Sequence, residues 1–297
     1  MPLDQVSNEQ IEKYDPDASE KGQDEAEMSF LDHLEVLRWH LIRSLLGITI
    51  CTMVAFVNGG WVFRNVIFAP ARTDFWTYRQ LCYLGELLNS PVLCIDKLNF
   101  ILQSRTLSGQ FFMHITASIV VGLVVAFPYV FWEIWRFVKP GLHLNERKVA
   151  RGTTFYVSSL FMIGTLFGYY LVAPLSINFL SSYQIDPSIQ NEFDIISYVS
   201  TLITLVLACS LMFQLPVLVF FLARVGLITP AVMRKYRRHA VIVILVVAGV
   251  ITPPDVFSQI LISIPLMVLY EMSIGIARRV EKKYLQEIEM EKETAQK

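Results

Sequence analysis

Long apolar runs separated by short polar connections dominate this chain, and their lengths set the first expectation. Four runs, at about 41–60, 109–136, 153–178 and 196–222, each supply roughly the 20 residues that a helix needs to cross ~30 Å of hydrocarbon. The last two runs are shorter. Ala240–Ile251, in a span at 239–251, offers 12 residues, and Ile260–Ala277, in a span at 258–277, is interrupted by Pro265 and Glu271. Between them Thr252-Pro253-Pro254-Asp255 stops the helix, because proline donates no ladder bond and restrains its predecessor. Two short helices joined by a tight turn tilt, or thin the bilayer locally. Ahead of the first run, Ser29 and Asp32 fit a helix start, and Phe30, Leu34, Leu37 and Leu41 recur at helical spacing. That pattern predicts an amphipathic lead-in turn at the membrane surface. The outer loop 61–108 is aromatic near its start and polar and turn-rich toward its end. Pro128 is tolerable in the second run if neighbours satisfy the freed carbonyl. The expected fold class is an all-α integral membrane protein with six transmembrane helices, the last two short. No internal repeat is visible, so the inverted-repeat transporter plan loses support.

Composition agrees. The 297 residues are 54% hydrophobic and 17% charged, with mean hydropathy +0.48, far more apolar than a soluble domain of this length needs. The net charge of −1 hides an uneven distribution. Residues 1–27 hold nine acidic groups against Lys13 and Lys21, which predicts a disordered acidic tail and no cleavable targeting sequence. A membrane domain at 28–280 follows, then a charged, helical tail at 281–297. With six spans, the side holding both termini receives 20 of the 25 Lys and Arg residues. The other five, Arg64, Arg72, Arg79, Lys97 and Arg105, fall in the first outer loop. By the positive-inside rule both termini are cytoplasmic.

Little in the chain suggests catalysis. The five histidines show no ligand spacing, and no phosphate-binding glycine loop or nucleophile elbow is present, so neither cofactor nor metal nor nucleic acid is expected. Cys51 and Cys209 lie within spans as small packing residues. Cys82 and Cys94 share the outer loop, where an oxidising compartment would allow a disulfide or leave two thiols. Gln214, beside Pro216, is expected to bond a neighbouring helix or to serve a function at membrane depth. Glu271 is expected to snorkel toward Arg278 and Arg279, and Asp255 to cap an outer turn. The stretch Phe131–Lys148, FWEIWRFVKPGLHLNERK, ends an apolar run in aromatics and presents Glu146 among basic residues. Glu146 either pairs with Arg147, Lys148 or Arg151 on a solvated helix start, or receives a cationic ligand from the cytoplasm.

Four motifs then converge: FLDHLEVLR at 30–38, FAP at 68–70, PYVFWEIWRFVKPGLHLNERK at 128–148 and ITPPDVFSQILISIPLMVLYEMSI at 251–274. With the six-span plan they resemble the TatC family, the multi-spanning core of the twin-arginine protein translocase, over about residues 28–280. The resemblance implies a cupped, glove-like bundle without enzymatic activity in the bacterial inner membrane. It implies partners too: folded precursors with paired arginines, TatA-like and TatB-like single-span proteins, and further copies of itself, with transport driven by the proton-motive force. By the same resemblance Glu146 binds the arginine pair and Phe137 lies beside it. Pro70 is an outer-loop structural position, and Thr252 and Gln259 are polar positions where partner helices dock. Two departures stand out. The family's HLEELR-like segment is HLEVLR here, which puts Val36 at the second acidic position and leaves Glu35 on a direction ~100° away. The family's membrane-embedded Glu in the fourth span is Gln214, which cannot titrate. The competing reading is a secondary transporter with Gln214 and Glu271 as a midplane site.

Overall fold

The computed structural model describes residues 30–90, 94–95, 100–138, 152–186, 191–251 and 256–295. Helix α1, Phe30–Val57, runs from the expected lead-in turn into the first span without a break. The helical pattern of 30–41 joins the apolar run in phase, and nothing between them ends the ladder. Its exposed Leu41, Leu45, Ile50, Met53 and Val57 face outward, where lipid tails solvate them as well as protein would. Helix α2, Trp76–Leu87, lies in the outer loop. Helix α3, Gly109–Val138, keeps its course past Pro128. Helix α4 runs from Thr153–Phe167 through a π turn, Gly168–Val172, into Ala173–Ser182. Helices α5, Ile195–Met212, and α6, Leu215–Arg224, meet at a break where Gln214 precedes Pro216. Helix α7, Pro230–Lys235, is short, α8 covers Arg237–Ile251, and α9 is a single 40-residue helix, Val256–Ala295, with Pro265 inside it.

Among the described residues five helical stretches are long and apolar enough to cross a membrane: Glu35–Val57, Gly109–Val138, Thr153–Ser182, Ile195–Arg224 and Gln259–Lys283. The sixth expected span is α8. Its 15 residues make a rod of only ~22 Å.

Close helix approach depends on small residues, since lipid gives two apolar faces no reason to prefer each other. A Cβ built on Gly122 of α3 would sit 2.6 Å from the Thr52 backbone nitrogen of α1. One on Gly164 of α4 would sit 2.8 Å from the Cys209 carbonyl oxygen of α5. Beside that second contact the Thr165 and Ser210 hydroxyls bond at 2.8 Å. Ala117, Val172, Ala173, Val199 and Leu205 are fully buried in the shared core.

The outer loop is more ordered than its composition suggests. Besides α2 it contributes strand β1, Phe100–Gln103, which pairs in parallel with β2, Asn191–Asp194, from the next outer connection. The fold is therefore mostly helical with one small ribbon, not strictly all-α. The Tyr78 hydroxyl is shared between the Pro70 and Pro174 carbonyls at 3.0 and 2.9 Å, and burial holds its phenol above its usual pKa. Tyr169 and Tyr198 donate to the Val66 and Ile67 carbonyls, both at 2.8 Å. These hydroxyls tie the outer cap to the third and fourth spans.

Candidate functional site

The N-terminal half of α1 and the C-terminal end of α3 meet in the region to which the sequence points. Aromatic residues line the last turns of α3: Phe131 stacks on Trp135, Trp135 packs on Phe221 of α6, and the Arg136 guanidinium lies 4.8 Å from the Trp132 ring centre. Phe137 is half-buried, with its ring 6.3 Å from the His40 imidazole of α1. His40 Nδ1 in turn meets Glu133 Oε2 at 2.5 Å, and the Glu133 side chain is only 2% exposed. A groove of about 180 Å³ opens beside this pair, lined by His40, Ser44 and apolar side chains that include Leu37, Leu41, Ile134 and Phe137. A buried carboxyl group at a membrane helix end is costly unless it is hydrogen-bonded, and His40 provides that contact. In the sequence Glu133 is embedded in the aromatic motif and His40 carries no distinguishing spacing. The usable signal was an ionisable residue flanked on both sides by apolar ones.

The remaining expected site residues fall in several places. Glu35 is exposed on α1, away from the groove, and Val36 is also exposed. Glu146, Thr252 and Asp255 lie outside the described residues. Pro70 is buried in a 3-10 turn of the outer cap. Gln214 sits at the α5–α6 break, where its amide nitrogen donates to the Val157 carbonyl at 3.4 Å while its Oε1 is buried without a partner among the described residues. The Gln259 amide donates to the Leu245 carbonyl at 2.8 Å and ties α8 to α9. Glu271 pairs with Arg237 and not with Arg278 or Arg279. Seven positions along a helix place Arg278 ~10 Å from Glu271. The basic loop instead folds back, held by the Tyr270 hydroxyl on the Met233 carbonyl at 2.8 Å. Gln214 and Glu271 thus have separate partners and do not assemble into a midplane solute site. Among the described residues no cluster of His, Cys, Asp and Glu could hold a metal.

Cys82 and Cys94 are joined in a disulfide, whereas Cys51 and Cys209 are free. Closing that loop is worth about 3 kcal/mol in the chain-entropy account. Non-reducing mass analysis of protein from an oxidising compartment should recover the two peptides linked. Two freely alkylated thiols would contradict the pairing.

Comparison with known proteins gives a consistent answer. Residues 32–265 match the TatC family, Sec-independent protein translocase protein. The Sec-independent protein translocase protein TatC of Blattabacterium sp. subsp. Periplaneta americana (strain BPLAN) is 38% identical over 259 residues, covering 86% of this chain and 97% of that protein. TatC of Helicobacter pylori (strain ATCC 700392 / 26695) is 44% identical over 163 residues, covering 55% and 64%. A crystal structure described as the twin arginine translocase receptor TatC superposes with a TM-score of 0.62 at 26% identity, covering 84% of this chain and 99% of that one.

Proposed function

This chain belongs to the TatC family of Sec-independent protein translocase proteins, and on that premise we propose that it recognises paired arginines in the signal peptides of folded precursors. The observation that carries the reading is the family match over residues 32–265, which runs through Phe137 and Glu146. Glu146 grips the arginine pair at the cytoplasmic mouth, Phe137 packs beside it, and Glu35 adds a weaker charge. The chain gathers TatA-like and TatB-like subunits and further copies of itself around the bound precursor. The proton-motive force drives transport, with no cofactor and no covalent chemistry. In cells carrying this chain as their only TatC, a folded reporter behind a twin-arginine signal should reach the far side of the membrane. Changing both signal arginines to lysine should stop it, and export unaffected by that change would contradict the reading.

Six helices cross the bacterial inner membrane in this proposal, α8 being the fifth crossing, with both termini in the cytoplasm. The membrane domain, 28–280, is flanked by cytoplasmic tails at 1–27 and 281–297. The charge split of 20 to five supports that orientation. Cysteines introduced at positions 145 and 236 should be shielded from a membrane-impermeant thiol reagent in intact cells. Labelling of either one from outside would exclude this topology.

The short α8 and the polar start of α9 leave a thinned edge where Thr252 and Gln259 receive a partner's transmembrane helix. Asp255 and Pro70 shape outer turns, and Gln214 holds the α5–α6 break. Changing Thr252 and Gln259 together to Leu should lower recovery of TatA-like or TatB-like subunits severalfold on co-purification. Because Gln259 also ties α8 to α9, precursor binding by the same preparation separates a lost surface from a lost fold. Unchanged partner recovery would reject the assignment.

A further inference from the structure

The most unusual group outside the assigned residues is Glu133, a carboxylate 2% exposed within an apolar helix. Among the described residues His40 is its one ionic partner. Arg136, one turn further along α3, is turned toward Trp132. His40 stands between the carboxylate and the groove: its Nδ1 faces Glu133, while its ring lines the open space beside Phe137. The groove is otherwise apolar apart from Ser44, whose hydroxyl bonds the His40 carbonyl at 2.9 Å, so His40 is the side chain that separates an occupant of the groove from Glu133.

We propose that Glu133 is a second carboxylate for the arginine pair, held in reserve by His40 until a signal peptide arrives. The inference builds on the twin-arginine reading above and deepens it by naming a residue for the second guanidinium. Two guanidinium groups need two sets of acceptors, and one carboxylate offers only two oxygens to forks that each prefer both. Glu35 is exposed on another face of α1, five positions and ~140° from His40. His40 Nδ1 holds the Glu133 carboxyl at 2.5 Å. A guanidinium entering the groove takes over as its partner while the imidazole turns into the space beside it. The carboxylate passes from one polar partner to another and is at no point left buried without one, which is the condition under which such an exchange is tolerated.

The test is a binding cycle on membrane vesicles with signal peptides carrying both arginines or either one replaced by glutamine. Glu133→Gln, which keeps shape and an acceptor for His40, should weaken the intact signal about tenfold, the loss of one charge-assisted contact. It should weaken one of the singly substituted signals by less than twofold, because that signal lacks the arginine that Glu133 serves. Equal losses for all three signals, or no loss for any, would overturn the proposal, since a helix-pinning pair does not distinguish them. If Glu133→Gln fails to accumulate, Glu133→Asp keeps the charge and should retain part of the preference for the intact signal. An Asp variant that binds all three signals with equal affinity would also overturn it. Wild-type vesicles that do not distinguish the intact from the substituted signals would mean instead that the twin-arginine reading itself fails, and this inference with it.

Discussion

Export of twin-arginine precursors should cease when Glu146 is replaced by lysine. Each guanidinium can grip a carboxylate through two parallel hydrogen bonds, a geometry that lysine cannot offer and that glutamine offers only in part. Charge-assisted bonds contribute about 1.5–3 kcal/mol each where partly shielded. Losing two of them weakens binding by at least about 100-fold. Lysine also adds positive charge to a segment that already holds Lys139, Arg147, Lys148 and Arg151, so the peptide's arginines are repelled. Glu146→Gln should lose about tenfold and keep residual export. Glu35→Ala should cost less than either, because Glu35 is exposed and stands off the groove. Val36→Glu restores an acid one turn before His40 and should be tolerated. Secretion of a reporter whose folded state is fluorescent measures all four in one assay.

Gly122→Val should be the most damaging change outside the mouth. The Cβ of any residue there meets the Thr52 backbone of α1 at 2.6 and 2.7 Å from its nitrogen and Cα, and backbone cannot rotate aside. The branched valine adds two methyl groups to that contact. Overpacking of this kind costs about 1–3 kcal/mol. Here the strain also separates the two helices that carry His40, Glu133 and Phe137. Binding and export should therefore fall together, with a lower melting temperature of the purified protein in detergent. Gly122→Ala should show an intermediate loss. A Gly122→Val protein with wild-type melting and export would mean that α1 and α3 are not in this close contact.

The membrane helices were legible because the bilayer imposes a length and forbids polar side chains along it, and both leave marks in a single sequence. Of the last two spans expected to be short, only α8 is; α9 continues past Pro265 and Ala277 because the charged tail that follows keeps strong helix formers in phase with the apolar run. The outer cap was not legible. FILQ and NEFD are four-residue strands without clear alternation, and each is stabilised by a partner far along the chain. Tyr78, Tyr169 and Tyr198 look like ordinary aromatics until their hydroxyls are seen on loop and helix carbonyls. Glu271 was assigned the nearest cations in sequence, whereas the fold brings Arg237 back to it. Glu133 was hidden by its neighbours: in FWEIWRF the aromatics dominate, and its pairing with His40 exists only when α1 lies against α3.

Photo-crosslinking from position 146 tests the central claim most directly. A photoreactive residue at 146 should label a precursor's signal peptide at or next to its arginine pair, and labelling should vanish when the pair is replaced. Equal labelling of intact and substituted signals, or labelling confined to the mature part of the precursor, would contradict the account.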